Sequence, residues 1–183
     1  ATGKVSYFSE NELGEGYKNY AIWLNKLTEK AINYSEIYKE CVIPSPCWMV
    51  FREDLNKCGA FNSDIYPEDY DLCFRFYKNN LIVVSSNETL HFWRDYSTRT
   101  SRTDSNYEDN FFLKLKMKYF LELNYNSNRK LQLWGAGNKG KEIARYLIDK
   151  NIDFEWFSNN VKKIGKDVYG KIILSEKEVF SKN

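Results

Sequence analysis

Gly135-Ala136-Gly137-Asn138-Lys139-Gly140 stands between an apolar tetrapeptide, Leu131 to Trp134, and a segment from about Lys141 to Lys150 with apolar residues at helical spacing. Of everything in the 183 residues this constrains the fold most. A G-x-G-x-x-G run after a strand and before a helix specifies a tight turn that packs the helix back onto the strand. The C-terminal part of the chain is therefore predicted to be a small Rossmann-like α/β unit, with its next strand around Phe154 to Phe157. Such a turn presents backbone N–H groups at a helix N-terminus, so Gly135, Gly137 and Gly140 form a candidate phosphate-binding turn. The acidic residue that holds a ribose diol about 20 positions on is missing, and Asn159 stands where it is expected. That counts against NAD and a nicotinamide-dependent oxidoreductase. It leaves two readings of the glycines, phosphate binding and tight packing alone.

Charge separates this unit from what precedes it. From Arg129 onward the chain has 12 basic and 7 acidic residues, whereas the whole carries a formal charge of only +2. The polar, turn-rich stretch Asn124 to Asn128 is the predicted junction, giving units 1–127 and 128–183. Hydrophobic residues make up 43% and aromatic residues 17%, enough for packed cores and too much for a disordered chain. Lys and Arg alternate with acids instead of forming a basic stripe, so nucleic acid is not an expected partner. No apolar run approaches the ~18 residues of a membrane span, and Ala1 to Glu10 lack the pattern of a signal peptide. Cys41, Cys47, Cys58 and Cys73 show no C-x-x-C pair, which argues against structural zinc and for reduced thiols in the cytoplasm.

In the first unit, Tyr17 to Leu27 has helical periodicity and Ile32 to Tyr38 suggests a second short helix. Cys47 to Phe51, after Pro44-Ser45-Pro46, reads as a buried strand. Arg52 to Phe61 reads as a helix closing on Gly59. Pro67 marks a helix start, with Leu72, Cys73, Phe76 and Tyr77 as its apolar stripe and Asn79-Asn80 as its stop. Leu81 to Val84 and Thr89 to Trp93 read as antiparallel strands around a Ser85-Ser86-Asn87 turn, which predicts a mixed sheet. Tyr107 to Leu123 has the spacing of a long helix.

Three clusters bear chemistry. Glu68, Asp69 and Asp71 fall in the first turns of the Pro67 helix, where acids complement the helix dipole; one of them at a cleft mouth would equally suit a general base. Asp69-Tyr70-Asp71 also spells a metal-binding Asp-x-Asp, but residues two apart on a helix face different sides, so no metal is assigned to them. His91, Trp93, Arg94, Arg99 and Arg102 gather around a strand end and a polar loop. Arginine forks suit phosphate oxygens, and Trp93 suits stacking on a sugar or base. A surface ion-pair cluster with Asp95 and Asp104 explains the same arginines, and a core position the same Trp.

The order of Pro44-x-Pro46, Cys47 to Phe51, Arg52 to Phe61, Tyr66-Pro67-Glu68-Asp69-Tyr70-Asp71-Leu72, and Trp93-Arg94-Asp95 to Ser101-Arg102-Thr103-Asp104 resembles the C-terminal half of a family 2 glycosyltransferase. The segments Leu133 to Gly140 and Lys163 to Gly170 resemble a Rossmann-like module appended to some of these enzymes. The resemblance implies a GT-A fold of α/β class, cut to its acceptor side, followed by the small Rossmann-like unit. It implies an inverting transfer from a nucleotide-sugar donor to a glycan or lipid-linked acceptor hydroxyl, in cell-surface polysaccharide or glycoconjugate synthesis. Asp69 becomes the base and Glu68 its neighbour, with His91, Trp93, Arg94, Arg99 and Arg102 on the diphosphate or acceptor side. A divalent metal, Mn or Mg, is implied for the complete enzyme; its Asp-x-Asp loop and the donor-binding half are not in this sequence. The implied setting is cytoplasmic, with peripheral contact at the inner face of the membrane left open. The alternative from another class is a nucleotide- or phosphate-binding module joined to a non-catalytic interaction domain.

Overall fold

The computed structural model describes residues 1–10, 12–61, 65, 67–99, 103 and 112–179. The chain is α/β with two compact units, Ala1–Asp109 and Asn110–Asn183.

In the first unit, strand β1 (Thr2–Ser9) pairs in parallel with β2 (Ser85–Asp95), in a register that sets Val5 opposite His91 and Ser9 opposite Asp95. Helix α1 (Glu15–Glu29) packs on this pair through Leu24, buried with Val5 and Cys47 and flanked by Tyr7, Tyr20 and Trp23. Asn25 fastens the helix to the strand. Its Oδ1 accepts from the Val5 N–H at 2.9 Å and its Nδ2 donates to the Val5 carbonyl at 2.8 Å. A short 3-10 turn, Asn33–Glu36, follows, and then the small helix α2 (Arg52–Lys57). Pro67 caps α3 (Glu68–Lys78), whose buried residues are Tyr70 to Phe74 and Phe76. Tyr70 stacks on Phe74 at 4.9 Å and donates its hydroxyl hydrogen to the Ile37 carbonyl at 2.5 Å.

Three expectations for this unit are corrected. The Cys47 to Phe51 strand does not form. Trp48 makes only an isolated bridge to Thr2, while Met49 and Phe51 are largely exposed. The backbone groups of this stretch go instead to the first residue, with the Met49 N–H donating to the Ala1 carbonyl at 2.8 Å. The Leu81 to Val84 and Thr89 to Trp93 hairpin is also absent. Leu81 to Val84 forms no strand; the Leu81 N–H donates to the Phe76 carbonyl and the Val84 carbonyl accepts from the Thr2 N–H, while Ser85 to Asn87 lie within β2 at a bulge against β1. Ser86 Oγ accepts from the Glu88 N–H there at 3.2 Å, so the turn chemistry is real but serves a register shift. The described sheet of this unit is consequently parallel, and the mixed character lies elsewhere.

The second unit begins with α4 (Leu113–Leu123), which the sequence had grouped with the first; Tyr107 to Phe111 lie outside the described residues. Met117 of α4 is buried against Leu133, Ala144, Leu147, Trp156 and Ile173, and this packing, stronger than the turn-rich composition of 124–128, decides the grouping. Strand β3 (Leu131–Trp134), helix α5 (Asn138–Asp149), β4 (Phe154–Ser158), β5 (Asp167–Val168) and β6 (Lys171–Ser175) form a sheet ordered β3-β4-β6-β5. The first three strands are parallel and β5 pairs antiparallel to β6. Tyr169 and Gly170 join β5 to β6 with φ of 59° and 75°, the left-handed pair that a two-residue hairpin turn requires.

Candidate active site

The two parallel strands of the first unit end together, at Ser9 and Asp95. Ligands of open α/β sheets bind outside such carboxyl ends. A cleft of about 300 Å³ lies there, lined by Ser9, Glu10, Glu12, Arg94, Asp95 and Tyr96 among others. Asp95 is 4% exposed, whereas Arg94 is exposed and forms an ion pair with Glu10 at the cleft. Expected among the surface-pair alternatives as a partner of Asp95, Arg94 finds its carboxylate on the other strand's end.

Alternation along β2 sorts the candidate residues by face. Phe92 and Arg94 are exposed; His91 and Trp93 are half-buried on the opposite face with Asp95. His91 meets Trp93 edge-on at 5.7 Å. Trp93 stacks on Tyr7 of β1 at 5.3 Å and 12°, and the Arg99 guanidinium lies 4.5 Å from the Trp93 ring. The structure thus brings His91, Trp93 and Arg99 together and sets Arg94 apart from them. Arg102, Ser101 and Asp104 lie outside the described residues.

Asp69 is half-buried in the first turn of α3, and Glu68 beside it is exposed. Asp69 Oδ1 accepts from the Tyr70 N–H at 2.7 Å. Burial pushes its carboxyl above the ordinary aspartate value; the Tyr70 N–H opposes this, and the charges of Glu68 and Glu40 add to it. Tyr20 of α1 is in its electrostatic neighbourhood. Burial raises the Tyr20 hydroxyl well above its ordinary value, with Cys41, Tyr7, Glu40 and Asp69 contributing. Tyr20 in turn meets Tyr7 edge-on at 6.3 Å, and Asp69 is not among the residues that line the cleft at the strand ends.

Asp71 is a different kind of residue. Fully buried, it accepts from Arg75 Nε at 2.7 Å, and Arg75 Nη1 also bonds the Cys58 carbonyl. Asp69 and Asp71 diverge, as residues two apart on a helix must. Among the described residues no three His, Cys, Asp or Glu side chains stand together as a metal's donor set.

In the second unit the glycine turn is built as the sequence predicts, although α5 starts at Asn138 and includes Gly140 in its first turn. A Cβ on Gly140 would stand 2.0 Å from the Gly135 carbonyl oxygen, so this glycine permits close helix-to-turn packing. Gly135 has φ +94°, and its carbonyl accepts from Trp156 Nε1 at 2.9 Å. Gly137 is the N-cap of α5, and nothing lies within 4 Å of where its Cβ would be. Lys163 bonds the Ala136 carbonyl, and Asn159, beyond the end of β4, is exposed.

Tyr7, Ser9 and Glu10 join the candidate site from positions that the sequence patterns did not single out. The signal available was Val5-Ser6-Tyr7-Phe8-Ser9, a β-branched and aromatic alternation ending on a small polar residue. No family model, no curated protein and no solved structure matches this chain. Among the described residues no helix is long and apolar enough to cross a membrane.

Proposed function

We propose that this chain is the acceptor-side part of an inverting family 2-like glycosyltransferase of GT-A type, with Asp69 as general base. The observation that supports the reading is the state of Asp69: a half-buried carboxylate at a helix start, its proton affinity raised by burial, with one oxygen held by the Tyr70 N–H. A base is more effective as its pKa approaches the working pH. The acceptor hydroxyl's proton passes to Asp69 Oδ2 as its oxygen attacks the anomeric carbon and the nucleoside diphosphate leaves from the opposite face. Glu68 contributes charge that strengthens the base. Trp93, His91 and Arg99 form the aromatic and cationic wall on the β2 side, and Arg94 stands at the cleft mouth. The nucleotide-sugar donor and a glycan or lipid-linked acceptor are the proposed substrates.

The test is Asp69→Asn in a complete enzyme that contains this segment. Turnover should fall by about 100- to 10,000-fold while donor affinity stays within about twofold, because only a transition-state proton acceptor is lost. Unchanged turnover would overturn the assignment.

The glycine turn of the second unit favours a second reading, a nucleotide-binding module. Here the exposed Asn159 in place of an acid argues for weak phosphate binding or none, and against hydride transfer. Parallel calorimetric titrations with UDP-sugars, NAD and CoA separate the readings. Micromolar NAD binding that disappears in Gly137→Val would favour the module over the transferase.

A further inference from the structure

Three rings from three elements lie against one cation in the first unit. Tyr7 of β1 lies 5.2 Å from Tyr17 of α1 and stacks on Trp93 of β2. The Arg99 guanidinium carbon lies 4.5 Å from the Trp93 centroid and 5.7 Å from each tyrosine centroid. Ring faces attract cations through their quadrupoles, more strongly where the contact is desolvated. Asp95 lies near enough to act on the Tyr7 hydroxyl, adding negative potential on the same side. The box therefore selects positive charge.

Arginine satisfies this box only in part, through its ring contacts and a hydrogen bond with the Tyr7 hydroxyl. Its Nη1 is buried and has no hydrogen-bond partner among the described residues. A buried donor left unsatisfied bears its desolvation penalty without compensation. Rings accept the charge of a guanidinium but do not satisfy its full fork of N–H donors. A cation with methyl groups in place of N–H donors would have no such penalty. Besides a side-chain hydrogen bond with the Tyr7 hydroxyl, Arg99 donates its own N–H to the Tyr96 carbonyl at 3.2 Å, and its carbonyl accepts from Thr103 Oγ1 at 3.3 Å.

We propose that Tyr7, Tyr17 and Trp93 form a binding site for a quaternary-ammonium group, which Arg99 occupies as an intramolecular stand-in. Arg99 is then a competitor that sets the threshold for ligand entry. Its departure frees the segment carrying Tyr96 and Ser97, which line the cleft at the strand ends. The site goes beyond the transfer reading and does not depend on it.

The probe is tetramethylammonium chloride, with sodium chloride at equal ionic strength as control and guanidinium chloride as competitor. In the full 183-residue chain carrying Arg99→Ala, saturable millimolar binding is expected, read from tryptophan fluorescence and from upfield ring-current shifts of the probe's methyl protons. Wild type should bind at least about tenfold more weakly, because its tethered arginine competes. Arg99→Ala combined with Trp93→Ala should lose saturation. Guanidinium should compete less well than tetramethylammonium binds. Absence of saturable binding in folded Arg99→Ala overturns the site. A second measurement needs no variant. In wild type, the Arg99 side-chain protons should be shifted upfield by the rings and return toward ordinary values as tetramethylammonium is added. Protons that start at ordinary values, or do not move at saturation of the fluorescence change, overturn the proposal.

Discussion

Asp71→Asn isolates the one acidic residue of α3 that is structural. Read from sequence as a solvated first-turn acid, it would matter by at most about 1 kcal/mol through the helix dipole. The structure instead buries its side chain completely and pairs it with Arg75 Nε at 2.7 Å, with the arginine side chain only 16% exposed. Arg75 ties this pair to the Cys58 carbonyl, and its Nη2 is buried without a partner among the described residues. Removing the carboxylate charge leaves a buried guanidinium under-compensated. Complete removal of one partner from a buried pair costs about 3–5 kcal/mol. An asparagine oxygen can still accept from Nε, so a loss of about 2–3 kcal/mol is expected, the value of a charge-assisted hydrogen bond. Urea unfolding gives the total, and amide exchange by mass spectrometry locates it. Protection should fall across α3, while α5 peptides in the other unit serve as an internal reference. Replacing both partners, Asp71→Leu with Arg75→Met, should recover much of the loss, because an apolar pair requires no charge compensation. A stability change in Asp71→Asn below about 0.5 kcal/mol, within the range of ordinary surface substitutions, would refute the reasoning.

Asp69→Asn should behave oppositely. The raised carboxyl means the folded chain holds that proton more tightly than the unfolded chain, so the Asp69 contribution falls as pH rises from the unfolded value near ~3.9 through the higher folded one. The variant should lack that slope and be at least as stable as wild type at neutral pH, as urea midpoints at pH 4 and pH 7 will report. Gly140→Ala should destabilise the second unit by about 1–3 kcal/mol or more, since its Cβ meets the Gly135 carbonyl, whereas Gly137→Ala should cost no more than about 1 kcal/mol; equal melting temperatures would contradict the packing role. Trp156→Phe removes the donor to the same carbonyl and should cost about 1–3 kcal/mol in chemical denaturation, with no change at α3.

The second unit was the more legible in sequence because its signals are local. Leu131 to Trp134, the glycine turn, the following helix and the strand at Phe154 all form where periodicity and turn chemistry place them. The β5–β6 hairpin was missed there, its Tyr169-Gly170 turn lacking the usual Asn or Asp, as was the 3-10 turn Glu176–Glu178, and α4 was assigned to the other unit. In the first unit the α1 and α3 helices were read correctly, but the sheet depends on pairing across about 80 residues, from Thr2 to Ser85, which no local pattern encodes. Ser85-Ser86-Asn87 is chemically a turn, and whether it reverses the chain or bulges a strand is decided by the strand alongside. The same limit applies to the site. Trp93 and Arg99 were visible as candidates, but their tyrosine neighbours come from β1 and α1.

Asn25 imposes a direction on the first sheet. Its amide matches the Val5 donor and acceptor with an acceptor and donor of its own, as a neighbouring strand's peptide group would. An approaching extended chain, whether another protein's or a misfolded copy's, finds that rung of the β1 ladder already taken and α1 lying over it. Among the described residues no strand pairs with the other side of β2. One side-chain amide thus blocks growth at this rung, as Trp48 and Met49 do at the start of the strand, and a change such as Asn25→Leu would leave that backbone rung as an open template.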